Sequence, residues 1–328
     1  MVQRSFSARI ILIGIVIAMS GCSTPSTTST TSVASRAPAP TGRGALGTWP
    51  FDSTKRCEVT NLGALVNSHA MEYAPSLGPG GLTLYFVSNR TGGPGGNDFW
   101  MTSKWTRFDT VFTPAQCMGT PLNGTGNENG IAVGHDGKAV YFSACNRADG
   151  AGDCDIFEGR LEDAGASGVH PLKRINSKYA ESQPALSADG RILYFVSNRP
   201  TGKDREDHSY IYASSMLGDG SWSSPRRLAE TVNGGMHNES PCITMNGKAL
   251  LFVSDRAGGH GGFDIYVSWL QADGSWGAAV NLGAPFNTSA DERSVAATTV
   301  GDLIYFASKR ADMQSFGDLD LYMGRIVE

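Results

Sequence analysis

The chain has 328 residues, 40% apolar and 18% charged, a balance that excludes wholesale disorder and suits one large all-β domain or two ordinary ones. A formal net charge of −4 without any Lys/Arg cluster argues against nucleic acid as a partner. Six cysteines point to disulfide chemistry if the chain is exported.

Export is what the N-terminus indicates. Arg4 and Arg9 precede an apolar run from Ile10 to Met19 that is too short to span a bilayer, and Met19-Ser20-Gly21-Cys22 ends it, so residues 1–21 read as a secretion signal. The last four residues resemble a bacterial lipobox, and the resemblance implies that Cys22 becomes the lipidated N-terminus; an ordinary signal with an unmodified cysteine is the alternative. Residues 22–54 then read as a lipid-anchored tether, because 23–47 are rich in Ser, Thr, Pro, Ala and Gly with only Arg36 and Arg43 charged. Removing the signal takes away two positive charges and no negative ones, which moves the formal charge from −4 to −6.

From residue 55 onward one module of about 55 residues recurs five times. An unpartnered strand in 55–66 comes first, and the units span about 67–122, 123–175, 176–232, 233–286 and 287–328. Each opens on Asn-x-x-x-x-Glu: Asn67/Glu72, Asn123/Glu128, Asn176/Glu181, Asn233/Asn238 with Glu239 beside it, and Asn287/Glu292. A hairpin follows, as in Asp189-Gly190 and Asn246-Gly247, where a tight primed turn needs positive φ. An aromatic strand comes next, around Phe86, Phe142, Phe195, Phe252 or Phe306, and then an Arg at 90, 147, 199, 256 or 310. A Gly-rich loop leads to a third strand of the type Asp264-Ile265-Tyr266, and a fourth strand is expected around Leu62, Leu122, Ile175, Leu228 and Leu282.

Four antiparallel strands per unit, repeated about an axis, predict an all-β, five-bladed β-propeller. The last unit stops after its third strand at Tyr322, so the strand in 55–66 is expected to supply the missing fourth strand and close the ring. Cys145 and Cys154 flank the loop of the second unit on strands that should be neighbours, and they are the expected disulfide. The pairing of Cys57, Cys117 and Cys242 stays open.

The run Glu-Ser-x-Pro-Ala-Leu-Ser-Ala-Asp-Gly-Arg-Ile-Leu-Tyr-Phe-Val-Ser-Asn-Arg at 181–199, with Asp-Ile-Tyr at 264–266, resembles the WD40-like (PD40) repeat of the TolB type over residues 55–328. The resemblance implies the propeller. Proteins of the TolB type place an α/β domain ahead of the propeller and bind a peptidoglycan-associated lipoprotein, whereas here the tether stands in that place.

The charged residues of the repeat have two readings. An Arg and an Asp in nearly every unit (Arg90/Asp98, Arg147/Asp155, Arg256/Asp264, Arg310/Asp320) predict a structural ion pair under the loop between second and third strands. The third unit has Tyr210 in place of Asp, so Arg199 is expected to find Asp204 or Asp207. The Asn and Glu of the opening motif lie where one blade crosses to the next, so they either cap that turn or form a polar ring at the channel mouth that binds a glycan, peptide or cation. The acidic spacing of Asp149 to Asp153 lacks the twelfth-position Glu of a calcium loop. The histidines (His69, His135, His170, His208, His237, His260) show no zinc spacing, and neither a Gly-x-Ser-x-Gly elbow nor a phosphate- or dinucleotide-binding fingerprint occurs. No metal and no cofactor is expected. The function expected is a non-catalytic module of the bacterial envelope, anchored by lipid to the outer membrane and facing the periplasm or the cell surface, with an envelope protein or glycan as partner. The alternative is a glycosidase or lyase with its site at the channel mouth.

Overall fold

The computed structural model describes residues 56–327 apart from 108, 163–164, 203–204 and 206. The signal, the tether and Cys22 lie outside these residues, as does Asp204.

A first strand, β1 (Arg56–Asn61), precedes the repeats. Blade one comprises β2 (Glu72–Leu77), β3 (Thr83–Ser88), β4 (Asp98–Ser103) and β5 (Gln116–Cys117). Blade two comprises β6 (Glu128–Val133), β7 (Ala139–Cys145), β8 (Cys154–Glu162) and β9 (Gly165–Pro171). Blade three holds β10 (Glu181–Leu186), β11 (Ile192–Ser197), β12 (Tyr210–Ser215) and β13 (Arg226–Arg227). Blade four holds β14 (Asn238–Thr244), β15 (Ala249–Ser254), β16 (Asp264–Trp269) and β17 (Val280–Asn281). Blade five is built from β18 (Glu292–Ala297), β19 (Leu303–Ser308) and β20 (Asp320–Val327), and β1 is its fourth strand, in the order β1-β20-β19-β18. β1 runs antiparallel to β20 from Arg56↔Val327 to Asn61↔Tyr322. The protein is thus a five-bladed β-propeller whose ring is closed by the N-terminal strand.

The second strands are apolar on both faces because each is sandwiched between neighbouring blades: Leu84, Phe86, Phe142, Leu193, Phe195, Phe252 and Phe306 are fully buried. Five apolar clusters follow the ring, each shared by two adjacent blades. Between blades two and three, for instance, Tyr141 and Ile156 pack with Leu193 and Phe195. Removing one such ring, as in Phe195→Ala, costs about 3–5 kcal/mol.

Two local expectations are corrected. β1, β13 and β17 end next to Leu62, Leu228 and Leu282 as expected, whereas β5 and β9 end well before Leu122 and Ile175, and β5, β13 and β17 have two residues each. Leu122 and Ile175 are instead buried anchors of the crossover to the next blade, because an outermost strand has a paired neighbour on one side only and the apolar side chain gains more inside. In the Asp189-Gly190 turn only Gly190 has positive φ (69°), and the loop is closed by Ser187 N–H donating to Ile192 O at 2.8 Å, wider than a two-residue primed turn. Asn246 and Gly247 do both have positive φ, 53° and 87°.

Candidate functional site

The opening motif builds the frame between blades. Each Asn grips the third strand of the preceding blade with both ends of its amide. Asn67 Oδ1 accepts Leu321 N–H at 2.9 Å and its Nδ2 donates to Leu321 O at 3.0 Å. Asn123 treats Phe99 the same way, Asn176 Ile156, Asn233 Ile211, and Asn287 Ile265. Each such amide accepts the N–H of that residue and adds a second donor to a carbonyl that already accepts a backbone N–H from beside the fourth strand.

In blades one and three the Glu is the partner of the repeated Arg, whereas Arg310 pairs with Asp312 and Arg256 donates to Asn238 Oδ1. Arg90 bridges Glu72 at 2.9 Å and Arg199 bridges Glu181 at 2.9 Å, while their guanidinium groups also donate to Val66 O and Ile175 O. The expected Arg–Asp pair is therefore corrected. Asp98 accepts Gly95 N–H, Asp155 accepts Ala151 and Gly152 N–H, Asp264 accepts His260 and Gly261 N–H, and Asp320 accepts Phe316 and Gly317 N–H. The Asp sits under the loop and ties down its backbone, while the Arg lies over the aromatic rings and reaches the first strand. Gly152, Gly261 and Gly317 are required there, since a Cβ would run into the crossover carbonyls of Tyr179, Ala290 and Ala70. Asp207, one of the acceptors expected for Arg199, pairs with Arg205 instead.

An open polar ring is not what this motif forms. Asn67, Glu72, Asn123, Glu128, Glu181, Asn233, Asn238, Asn287 and Glu292 are buried and Asn176 is half-buried, so the motif lies inside the frame. Glu239 is half-buried.

The five environments also differ. Glu72 accepts Ser68 Oγ at 2.6 Å and Ser88 Oγ at 2.8 Å, and Glu181 accepts Ser177 Oγ and Ser197 Oγ, each at 2.8 Å. In blade two these hydroxyl positions are Gly124 and Ala144, so Glu128 accepts only Gly124 N–H at 3.1 Å and its Oε2 is buried without a partner. Arg147 turns away to Asp149 at 3.2 Å and Pro121 O at 3.2 Å. Burial pushes Glu128 up to about 7, with Asp98 adding to the rise and Gly124 N–H and Arg147 opposing it. Burial likewise pushes Glu292 up to about 7 against Thr288 and Ser308, and raises Glu181 against Arg199. In blade two, Cys145 and Cys154 are joined by a disulfide across the β7–β8 pair.

Around the axis, the innermost strands β2, β6, β10, β14 and β18 all bulge just after the motif. Ala74, Gln183 and Ser240 hold positive φ there (49°, 50° and 53°), a conformation costing about 1–3 kcal/mol each that persists only where the surroundings enforce it. The enforcement is a chain of contacts between blades: Ala74 N–H donates to Ser294 Oγ at 2.9 Å, Val295 N–H to Ser240 Oγ at 3.0 Å, and Ser240 N–H to Gln183 Oε1 at 2.6 Å. Toward the hairpin turns lies a cavity of about 170 Å³, lined by Pro75, Ile131, Pro184, Pro241, Val295 and other small or apolar residues. Its described lining contains no Asp, Glu, Lys or Arg; His135 and Cys242 are its titratable groups. Burial pushes the Cys242 thiol up to about 11, which keeps it protonated and a poor nucleophile.

At the opposite, crossover end one sector breaks the repeat. The polar insertion before β12 replaces the Gly-rich loop, and Ser209 bridges to His237 where the other blades pair Asn97 with Asn127 or Leu319 with Met71. Ser209 Oγ donates to Glu239 Oε1 at 2.9 Å and lies 3.1 Å from His237 Nδ1. His237 immediately precedes β14 and Glu239 lies two residues on within it, and both reach Ser209, while Asn238 between them is buried. Beyond them, Arg293 lies 4.0 Å over Phe263, Phe263 is 6.1 Å from His237, and His237 is 6.2 Å from His208. Glu239 belongs to the set expected from sequence; His208, Ser209, His237, Phe263 and Arg293 do not. Their signal was departure from the repeat, since His237 aligns with Met71, Asn127, Ala180 and Asp291.

No protein-family model and no curated protein matches the sequence. Among solved structures the chain is similar to TolB from Acinetobacter baumannii, at 17% identity and a TM-score of 0.50, over 80% of this chain and 56% of that one. It is also similar to a thermostable family-43 glycoside hydrolase, at 14% identity and a TM-score of 0.52, over 80% of this chain and 90% of the other. A third is alpha-L-arabinofuranosidase from Lactobacillus brevis, at 12% identity and a TM-score of 0.52, over 80% and 92%. The chain spans little more than half the length of that TolB, and what it shares with all three is the β-propeller fold.

Proposed function

We propose that this chain is a lipoprotein of the bacterial envelope whose propeller binds a protein or glycan partner without catalysis, held to the outer membrane by acyl chains on Cys22. The observation that carries the reading is where the carboxylates are. The repeated ones are buried in the frame, and the described lining of the axial cavity contains none. Glycoside cleavage needs two carboxyl groups facing one space, about 5–10 Å apart. The half-buried sector at the crossover end offers contact groups on a rigid ring, which suits recognition.

The test is a pull-down from envelope extract with the mature protein as bait, alongside turnover assays on plant and bacterial polysaccharides. Recovery of a partner with no turnover is the expected result. A hydrolase or lyase activity abolished by one carboxylate substitution overturns it.

A further inference from the structure

The sector that breaks the repeat is a row of flat groups crossing three blades. Arg293 lies on Phe263 at 4.0 Å, Phe263 neighbours His237 at 6.1 Å, and His237 neighbours His208 at 6.2 Å. All four are half-buried, so their outer parts meet solvent while packing holds their orientation. Arg293 forms an ion pair with Asp291 through its Nε side at 3.3 Å, and its terminal nitrogens have no acceptor among the described residues. Ser209 has one hydroxyl proton and directs it to Glu239, so it accepts from His237 Nδ1–H. That leaves Nε2 as the available end of the imidazole.

We propose that this row is a binding subsite for an acidic oligosaccharide, a chain of uronic acid residues, with Arg293 taking the sugar carboxylate. This rests on the binding reading above and names its ligand class. The mixture of groups decides the class. An acidic peptide brings backbone N–H donors and carboxylates but neither hydroxyl donors nor an apolar ring face, and its carboxylates beyond the one on Arg293 would meet repulsion from Glu239 and Asp291. A uronate chain brings a carboxylate for Arg293 and hydroxyl donors for those two carboxylates and for His237 Nε2. Its sugar rings have apolar faces that fit the outer edges of Phe263 and the imidazoles. A neutral glycan would offer the Arg293 nitrogens only uncharged oxygens, without the charge-assisted contact.

Isothermal titration of the full-length protein with hexagalacturonate, cellohexaose and hexaglutamate tests this. Saturable binding of hexagalacturonate is expected, at least about tenfold tighter than cellohexaose, since one charge-assisted contact is at stake. Arg293→Gln should weaken it by about tenfold or more and erase the preference over cellohexaose, while Phe263→Leu should weaken both sugars alike. Melting curves show whether each variant keeps the fold. No uronate binding, or binding indifferent to Arg293→Gln in a folded variant, overturns the proposal. Hexaglutamate binding as tightly overturns it in favour of an acidic peptide. The two readings separate in the pull-down. If a partner is still recovered by Arg293→Gln, the binding function stands and this subsite falls. If hexagalacturonate is cleaved, the subsite stands and the non-catalytic reading falls.

Discussion

Replacing Glu128 and Glu72 by Gln should have opposite effects on stability at pH 8, although the two residues occupy the same place in the repeat. Glu72 is buried against the half-buried Arg90 at 2.9 Å, so Glu72→Gln leaves a largely desolvated guanidinium without its counter-charge and should destabilise by about 3 kcal/mol. Glu128 has no such partner, and its pKa is raised from 4.5 to about 7. A carboxyl raised in the fold binds its proton more tightly there than in the unfolded chain. Its contribution is fully present below the unfolded value and is lost as pH rises through about 7. The shift corresponds to about 3 kcal/mol lost by pH 8. Glu128→Gln keeps an oxygen for Gly124 N–H and removes the charge, but adds an amide N–H pair whose burial costs about 1–2 kcal/mol. The net expectation is a gain of about 1–2 kcal/mol at pH 8 and a slight loss at pH 5, read as a rise of a few degrees in melting temperature at the higher pH. Urea or thermal unfolding of both variants at pH 5 and pH 8 is the assay. If both destabilise alike at pH 8, the distinction drawn between the two environments is wrong.

Deleting Arg56–Asn61 removes the ladder to β20 and the bonds of Asn61 to Asp320 and Asn67, a loss of about 5 kcal/mol or more that rivals the whole stability of a domain; deleting 23–45 should leave the melting temperature unchanged, and equal melting of the two truncations would refute closure by β1. Cys145 and Cys154, nine residues apart, should be recovered as a linked pair by non-reducing peptide mapping, and replacing both with Ser should cost about 2–3 kcal/mol by loop entropy; two free thiols there would contradict this. Cys22→Ala should shift the protein from the membrane to the soluble fraction, because anchoring rests on acyl chains; retention of the variant in membranes removes the lipoprotein proposal.

Five blades, four strands in each, and closure by the N-terminal strand were legible from sequence alone. The repeat restates its phase marks five times, and the missing fourth strand after Tyr322 has one unpartnered strand to match it. A continuous apolar run such as Leu193 to Val196 has one good environment, the middle of a sheet between two others. Which carboxylate meets which arginine was not legible. Arg90 lies eight residues before Asp98 and eighteen after Glu72, yet it reaches Glu72, because β2 and β3 pair Glu72 with Ser88 and turn both side chains toward the Arg. The fates of Glu128 and Glu72 diverge through neighbours at two other positions, Gly124 for Ser68 and Ala144 for Ser88, whose convergence only the folded blade makes apparent. The row from Arg293 to His208 is further still from sequence. Its members come from three blades, and only the crossovers that stitch one blade to the next bring them within ring contact. Repetition encodes the frame locally, whereas a site made of departures from the repeat exists only once the ring is closed.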